Sequence, residues 1–369
     1  MRRTIVRTSC LAMLLALSTR TAPARAQDTT SAPPAGDTIT LTFSEARRLA
    51  LSQNPEFLAE RQDIAIARGQ LRQARLPAFN PELDVGLPGL ATGDGTAEYQ
   101  LSLMQEMEVG GQRGLRVRAG RLGVRRAELT VRDAARLAVA DVSEAYFVSV
   151  AARRRLALAE EILALNERLM SAVRIQLAEG EVSAMEGNLA EIELGRARAG
   201  LLAARRAVTS ADLELGRAAG LAPTVGLRVT DDLPPAPAPD GLRPDSLLSA
   251  ALAARPDLAA RTAAAQEFQA LGDLTRRQNV PNLRVSALAE RDADGGDPRF
   301  GVGVGISLPL LNRNQGTIAE RQAQAEQAAL QGRAVELRVR TEVEDAYRAY
   351  VATSQEAAVY ESAILQPAR

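Results

Sequence analysis

Few residues in this sequence have the types and spacing that chemistry needs, and each such group has a plainer reading. Gly301-Val302-Gly303-Val304-Gly305 has spaced glycines like those of a phosphate-cradling turn. A dinucleotide fingerprint needs its third glycine where Ile306 stands, with a helix starting there. The stretch reads instead as a strand whose small residues share one face. Asp292, Asp294 and Asp297 around Gly295-Gly296 suggest a calcium loop, but its twelfth position falls on Gly303, not on a glutamate. A solvated hairpin loop is the expectation there. The acidic residues on helical stretches form no isolated pair suited to acid/base work. They read as solvated faces or as i,i+4 partners of arginine. Asn312-Arg313-Asn314 lies at a strand-to-helix junction, where backbone capping accounts for it.

Composition narrows the classes further. The chain has 369 residues, 45 basic and 45 acidic, with no His, one Cys and 3% aromatic residues. All the basic residues are Arg. Balanced charge without a basic block argues against nucleic acid, which needs excess positive charge facing phosphates. Ala, Leu, Arg and Glu dominate, as in long helices and coiled coils. Residues 1–26 read as a secretory signal: Arg2, Arg3 and Arg7, an apolar run from Cys10 to Leu17, then Ala24-Arg25-Ala26 before Gln27. Cys10 belongs to that apolar run, which is too short to span a bilayer. The processed chain then lacks Cys and His, which excludes disulfides, thiol nucleophiles and imidazole or thiolate metal sites. No cofactor or metal site is expected, and a secreted hydrolase fails on this inventory.

The elements that would position any site come from a duplication. Residues 43–163 and 244–364 repeat one pattern. Asn54-Pro55-Glu56 is echoed by Arg255-Pro256-Asp257, Pro81-Glu82-Leu83-Asp84-Val85 by Pro281-Asn282-Leu283-Arg284-Val285, and Asp141-Val142-Ser143-Glu144-Ala145-Tyr146 by Glu342-Val343-Glu344-Asp345-Ala346-Tyr347. Each copy reads helix, two short strands, long helix. Residues 27–41 are expected to be a mobile tail, 42–225 the first repeat, 226–241 a Pro-rich linker and 242–369 the second repeat. Thr42 and Glu45 form a capping box at the first helix, and Pro55 interrupts it.

Strands are expected over about 82–88, 98–108, 282–290 and 299–309 from period-two alternation. Phe300, Val302, Val304 and Ile306 make one apolar face, and Gly301, Gly303, Gly305 and Ser307 a small-residue face. A helical hairpin fills about 111–220, with heptads Leu156, Leu163, Met170, Leu177 and Leu194, Leu201, Val208, Leu215. Glu179-Gly180-Glu181-Val182-Ser183 is the turn between them. A secreted chain with amphipathic strands of this length points to a transmembrane β-barrel, in which closure satisfies the backbone. Four strands are too few to close one, so oligomerisation must supply the rest.

Leu41-Thr42-Phe43-Ser44-Glu45-Ala46, Asn54-Pro55-Glu56, Gln105-Glu106-Met107-Glu108-Val109-Gly110-Gly111-Gln112-Arg113 and Leu308-Pro309-Leu310-Leu311-Asn312-Arg313-Asn314-Gln315-Gly316 resemble the outer membrane efflux protein (TolC-type) family. The last motif is similar to its heavy-metal (cobalt–zinc–cadmium) branch. The resemblance implies a mainly α fold with a small β part. It implies a homotrimer whose four-stranded protomers build an outer membrane β-barrel over a periplasmic coiled-coil tunnel. It further implies a periplasmic adaptor and a resistance-nodulation-division pump of the inner membrane as partners, and no enzymatic activity. On that basis Phe300, Val302, Val304 and Ile306 face lipid, Gly301, Gly303, Gly305 and Ser307 face the lumen, and Glu179 to Ser183 meet the adaptor. The alternative is a periplasmic adaptor, which carries one hairpin flanked by halves of a small β-domain. After Tyr347 the second copy has no counterpart of the first hairpin's tip and return helix, so truncation is expected, with loose packing from about Val351.

Overall fold

The computed structural model describes residues 38–87, 98–230, 241–291, 297–360 and 362. The expected signal peptide, most of the tail, most of the linker and residues 292–296 of the aspartate loop lie outside the described residues. The first unit runs β1 (Thr38–Leu41), α1 (Phe43–Ser52), α2 (Pro55–Arg75), β2 (Glu82–Gly86), β3 (Tyr99–Met107), α3 (Gln112–Ala178) and α4 (Ala184–Ala219). After β4 (Gly226–Val229), the second runs α5 (Pro244–Ala254), α6 (Pro256–Arg277), β5 (Leu283–Arg291), β6 (Arg299–Ile306) and α7 (Gln315–Val359). No described helix is long and apolar enough to cross a membrane, which says nothing about a β-barrel.

Sequence chemistry sets these boundaries. Thr42 caps α1 in a capping box with Glu45. Asn54 caps α2 through Glu56 N–H at 2.9 Å, with Pro55 at N1, where a missing amide proton costs nothing. Without an internal proline, α3 continues unbroken for 67 residues, about 100 Å at 1.5 Å per residue. β2 stops at Gly86 and β6 at Ile306, slightly inside the sequence expectation, while β5 runs one residue past it to Arg291.

One expectation is corrected. Thr38–Leu41, assigned to the tail, and Gly226–Val229, assigned to the linker, pair as a parallel two-stranded sheet. Short apolar pairs such as Ile39 with Leu227 and Leu41 with Val229 lack the length for a periodicity signal. Their partner, distant in sequence, is what makes them strands.

The sheet covers the main buried cluster. Leu41, Ala46, Leu49 and Ala50 meet Val142, Ala145, Tyr146 and Val150 of α3 and Leu215, Ala218 and Ala219 of α4. Fully burying a Leu or Val side chain stabilises by about 1.5–3 kcal/mol. Tyr146, fully buried, sets its hydroxyl 2.7 Å from the Thr230 carbonyl and 3.2 Å from that of Leu41. Below this cluster the α3–α4 hairpin packs along the heptads, with Met170, Leu194 and Leu201 buried, while Leu177 near the turn is exposed.

Above it the helices form a wall in which α2 lies on α3, α3 on α6 and α6 on α7. The second sheet has the order β2-β3-β5-β6, all antiparallel. The two orders match. α2 feeds β2, β3 feeds α3, α6 feeds β5 and β6 feeds α7, so every strand continues one helix of the wall.

Candidate functional site

The four-stranded sheet has two chemically distinct faces, because successive side chains alternate. Cross-strand neighbours on one face include the row Leu83, Leu103, Ala287, Val302 and the row Val85, Leu101, Ala289, Phe300. Val285 with Val304 and Leu283 with Ile306 extend it. This apolar face is bare: Phe300 is 82%, Val302 89% and Val304 76% exposed. An apolar surface of this extent left in water is unfavourable in proportion to its area.

The opposite face is polar. Its rows are Asp84, Ser102, Leu288, Gly301; Glu82, Met104, Ser286, Gly303; and Glu106, Arg284, Gly305. Ser102 donates to Asp84 at 3.2 Å, and the Arg284 guanidinium reaches past Gly305 to Ser307 Oγ at 3.5 Å. The glycine column is not uniformly permissive. A Cβ on Gly303 would lie 2.6 Å from Ser286 Oγ, whereas one on Gly301 or Gly305 would make ordinary contacts at 3.9 and 4.0 Å. The strand residues singled out from sequence thus sit on two opposite faces, and Ser307 lies just past β6.

A polar lock joins sheet to helices. Gln112, buried, donates to Val280 O at 3.2 Å and Asn282 Oδ1 at 3.3 Å, and Asn282 donates to Glu106 Oε1 at 2.8 Å. Arg277 donates to the Gly110 carbonyl at 2.5 Å, and Arg116 grips Glu108 at 2.6 and 3.0 Å. The long helices α3 and α7 both start from left-handed residues, Gly111 at φ +76 and Asn314 at φ +56. Asn312 accepts from the Asn314 N–H at 3.0 Å, a local side-chain-to-backbone bond just before α7, while Asn314 itself makes no side-chain cap.

At the far end of α3, Glu179 to Ser183 form the hairpin turn. Gly180 takes φ +79, and the Glu181 N–H returns to Gln176 O at 2.8 Å while that of Gly180 returns to Leu177 O at 3.2 Å. This is the glycine-centred helix stop of a Schellman motif. Ser183 then caps α4 reciprocally with Glu186, whose carboxyl the Ser183 N–H and hydroxyl hold below its usual range. Glu179, Gly180, Glu181 and Ser183 are exposed, and Val182 is half-buried.

Sequence reasoning missed the polar groups near Tyr146 and Tyr347. Asp212 accepts from Ser149 at 2.8 Å and Arg153 at 2.6 Å, while Arg153 also reaches Leu227 O at 2.7 Å. Arg255 bridges Asp257 at 2.7 Å and Glu342 of α7. The echoed motifs around Tyr146 and Tyr347 mark the level, but Asp212 and Glu342 are far in sequence from the groups they meet.

Residues 46–221 and 247–368 match the family described as outer membrane efflux protein. The chain belongs to the outer membrane efflux protein family. The cobalt-zinc-cadmium resistance protein CzcC of Cupriavidus metallidurans is 30% identical over 299 residues, 78% of this chain and 68% of that protein. The nickel-cobalt-cadmium resistance protein NccC of Alcaligenes xylosoxydans xylosoxydans is 28% identical over 300 residues, 78% of this chain and 66% of that one. The outer membrane protein VceC from Vibrio cholerae shares the fold, with a TM-score of 0.70 at 16% identity over 88% of this chain and 82% of that one. The mainly helical fold with a small β part is that of outer membrane channels, and membership of this family makes the chain an outer membrane efflux protein. The adaptor alternative needs halves of a small β-domain beside a single hairpin. Here two helix–strand–strand–helix units share one sheet.

Proposed function

We propose that this chain is the outer membrane exit duct of a tripartite system that exports heavy-metal cations. The observation that carries the duct is the two-faced sheet whose strands continue one by one into a wall of helices. In this reading Phe300, Val302, Val304 and Ile306 face lipid and Gly301, Gly303, Gly305 and Ser307 face a water-filled lumen. The chain assembles as a homotrimer, since one copy supplies four strands and a barrel needs about eight or more. Glu179 to Ser183 form the tip that docks on a periplasmic adaptor, which connects to a resistance-nodulation-division pump of the inner membrane. The duct is passive, not an enzyme, and holds no cofactor. The resistance named for CzcC and NccC supports metal cations as cargo. A duct conducts best when it binds weakly, so the cargo needs no ligand cluster in the wall.

The test is complementation. In a Gram-negative host lacking its own outer membrane factor, co-expression with the cognate adaptor and pump should raise tolerance to cobalt, zinc or cadmium. Unchanged tolerance, with the chain present as a trimer in outer membranes, would contradict the metal reading. A soluble monomer in periplasmic extract would contradict the duct itself.

A further inference from the structure

The two stretches that flank the first strand pair carry a one-sided charge. Residues 64–81 hold three arginines and residues 109–127 six, with no Asp or Glu in either. They form most of α2, the start of α3 and the segments that join both helices to the sheet. The second repeat has no such excess at this level. Glu267 and Asp273 of α6 offset Arg276 and Arg277, and Glu320 and Glu326 of α7 outnumber Arg321. Helix stability does not account for the charge on α3, which has no acid in its first turn. Positive charge near a helix N-terminus opposes the helix dipole.

The arginines gather on one side of the wall. Arg118, Arg121 and Arg125 share a face of α3 at i, i+3 and i+7, and Arg72 and Arg75 lie in the last turn of α2. Arg68, one turn before Arg72, reaches Glu128, one turn after Arg125, at 3.4 Å, which sets the two rows side by side. Arg72, Arg75, Arg118, Arg121 and Arg125 are exposed, and none has a carboxylate partner among the described residues. The opposite side of α3 is closed. Ala119, Gly123 and Ala127 are buried there, with Gly120 against Leu71 of α2 and Gly123 against Glu267 of α6. Arg116, about 200° around the helix from Arg118 at about 100° per residue, bonds Glu108, in line with Glu106 of the polar sheet face. The inner side of α3 thus follows the polar face, and the arginines follow the apolar one.

We propose that this patch docks on anionic phospholipid headgroups of the periplasmic leaflet, with guanidinium forks on phosphate oxygens. The inference rests on the reading of the apolar sheet face as lipid-facing. Depth and direction both fit. The exposed Leu76 and Val109 end the apolar surface beside the patch. A headgroup layer adds about 5–7 Å beyond the hydrocarbon. Arg118 and Arg125 lie about 10 and 20 Å beyond Gly111 at 1.5 Å per residue, and side chains of α3 lean toward its N-terminus, back to the sheet. Arg72, Arg75 and Arg118 come within reach of the phosphates, and Arg121 and Arg125 add to the field that holds them.

The experiment uses the full chain reconstituted in phosphatidylethanolamine vesicles that contain acyl-brominated phosphatidylglycerol or acyl-brominated phosphatidylethanolamine. The chain has no Trp, so Leu76→Trp gives a single indole beside the patch, Leu311→Trp one at the corresponding junction of the second repeat and Phe300→Trp one on the sheet. At Leu76→Trp the anionic lipid is expected to quench about threefold more than the neutral one. That preference should vanish with Arg72→Gln, Arg118→Gln and Arg121→Gln together, be weaker at Leu311→Trp and fall as salt screens the patch. Equal quenching by both lipids at Leu76→Trp, or a preference that survives the three substitutions, would overturn the proposal. So would silence at Leu76→Trp with strong quenching at Phe300→Trp, a result that leaves the lipid-facing sheet intact. Silence at Phe300→Trp would instead bring down the sheet reading itself. Binding of the chain to isolated peptidoglycan that the three substitutions abolish, with no lipid preference, would assign the patch to the wall polymer and overturn the lipid.

Discussion

The segments around Tyr146 and Tyr347 carry the same motif in different surroundings. In the first repeat Val142, Ala145 and Tyr146 are buried beneath α1, α4 and the β1–β4 sheet. In the second, Val343 and Tyr347 are half-buried and Ala346 is exposed, with α5 and α6 as α7's partners among the described residues. The joints between paired helices differ in kind too. At the first, Asn54 donates to Ala218 O at 3.0 Å and sits so close to Gly220 that a Cβ there would be 2.6 Å from its backbone. At the second, the corresponding Arg255 clamps Asp257 and Glu342 with charge. The duplicated sequence encodes the helix and its turn. What covers that helix decides whether the joint is built from packing or from ion pairs.

The largest effect expected from this contrast is at the paired tyrosines. Tyr146→Ala should destabilise by about 3–5 kcal/mol, as truncation of a buried aromatic does, and Tyr347→Ala by no more than about 1 kcal/mol. Denaturant unfolding of the two variants checks it, and equal losses would break the comparison. Next is Gly220→Ala, which combines φ +76 with a backbone clash. It should cost well over the roughly 1–2 kcal/mol of a left-handed alanine alone, whereas Gly180→Ala, with open space around it, should cost only about that amount. Thermal midpoints of the two variants measure the difference.

The smallest expected effect is titration. Burial raises the Asp257 carboxyl, but hydrogen bonds from Arg255 and the Leu258 N–H outweigh it and hold it below its ordinary range. A depressed carboxylate stabilises the fold above its unfolded value, about 3.9, and that contribution fades as pH falls through the lower folded value. Amide exchange at the start of α6 should therefore accelerate on acidification, after correction for intrinsic rates. The Asn54 joint, where Glu56 meets Arg217 only at 3.6 Å and both side chains are exposed, should change less. A matching acceleration at the start of α2 would undo the distinction.

How legible all this was depended on distance along the chain. The α3–α4 hairpin, its heptads and the Gly180 turn were readable because each rests on neighbours a few residues apart. The alternation of Phe300 to Ile306 was readable for the same reason. Thr38–Leu41 and Gly226–Val229 were misassigned because four residues carry no periodicity, and each becomes a strand only against the other. The Ser149–Arg153–Asp212 network and the close fit of Ser286 over Gly303 were invisible for a related cause. They depend on which helix or strand arrives opposite, and no local pattern states that.

The account's central claim is that the β2-β3-β5-β6 sheet is a piece of membrane wall with lipid on one side and water on the other. Single cysteines at each position from 300 to 306, labelled in outer membranes by a lipid-phase probe and by a water-soluble maleimide, test it most directly. The account predicts lipid-phase labelling at Phe300, Val302, Val304 and Ile306 and aqueous labelling at Gly301 and Gly305, with Gly303 slower beneath Ser286. Uniform access by the water-soluble reagent, or labelling without even–odd alternation, would contradict it.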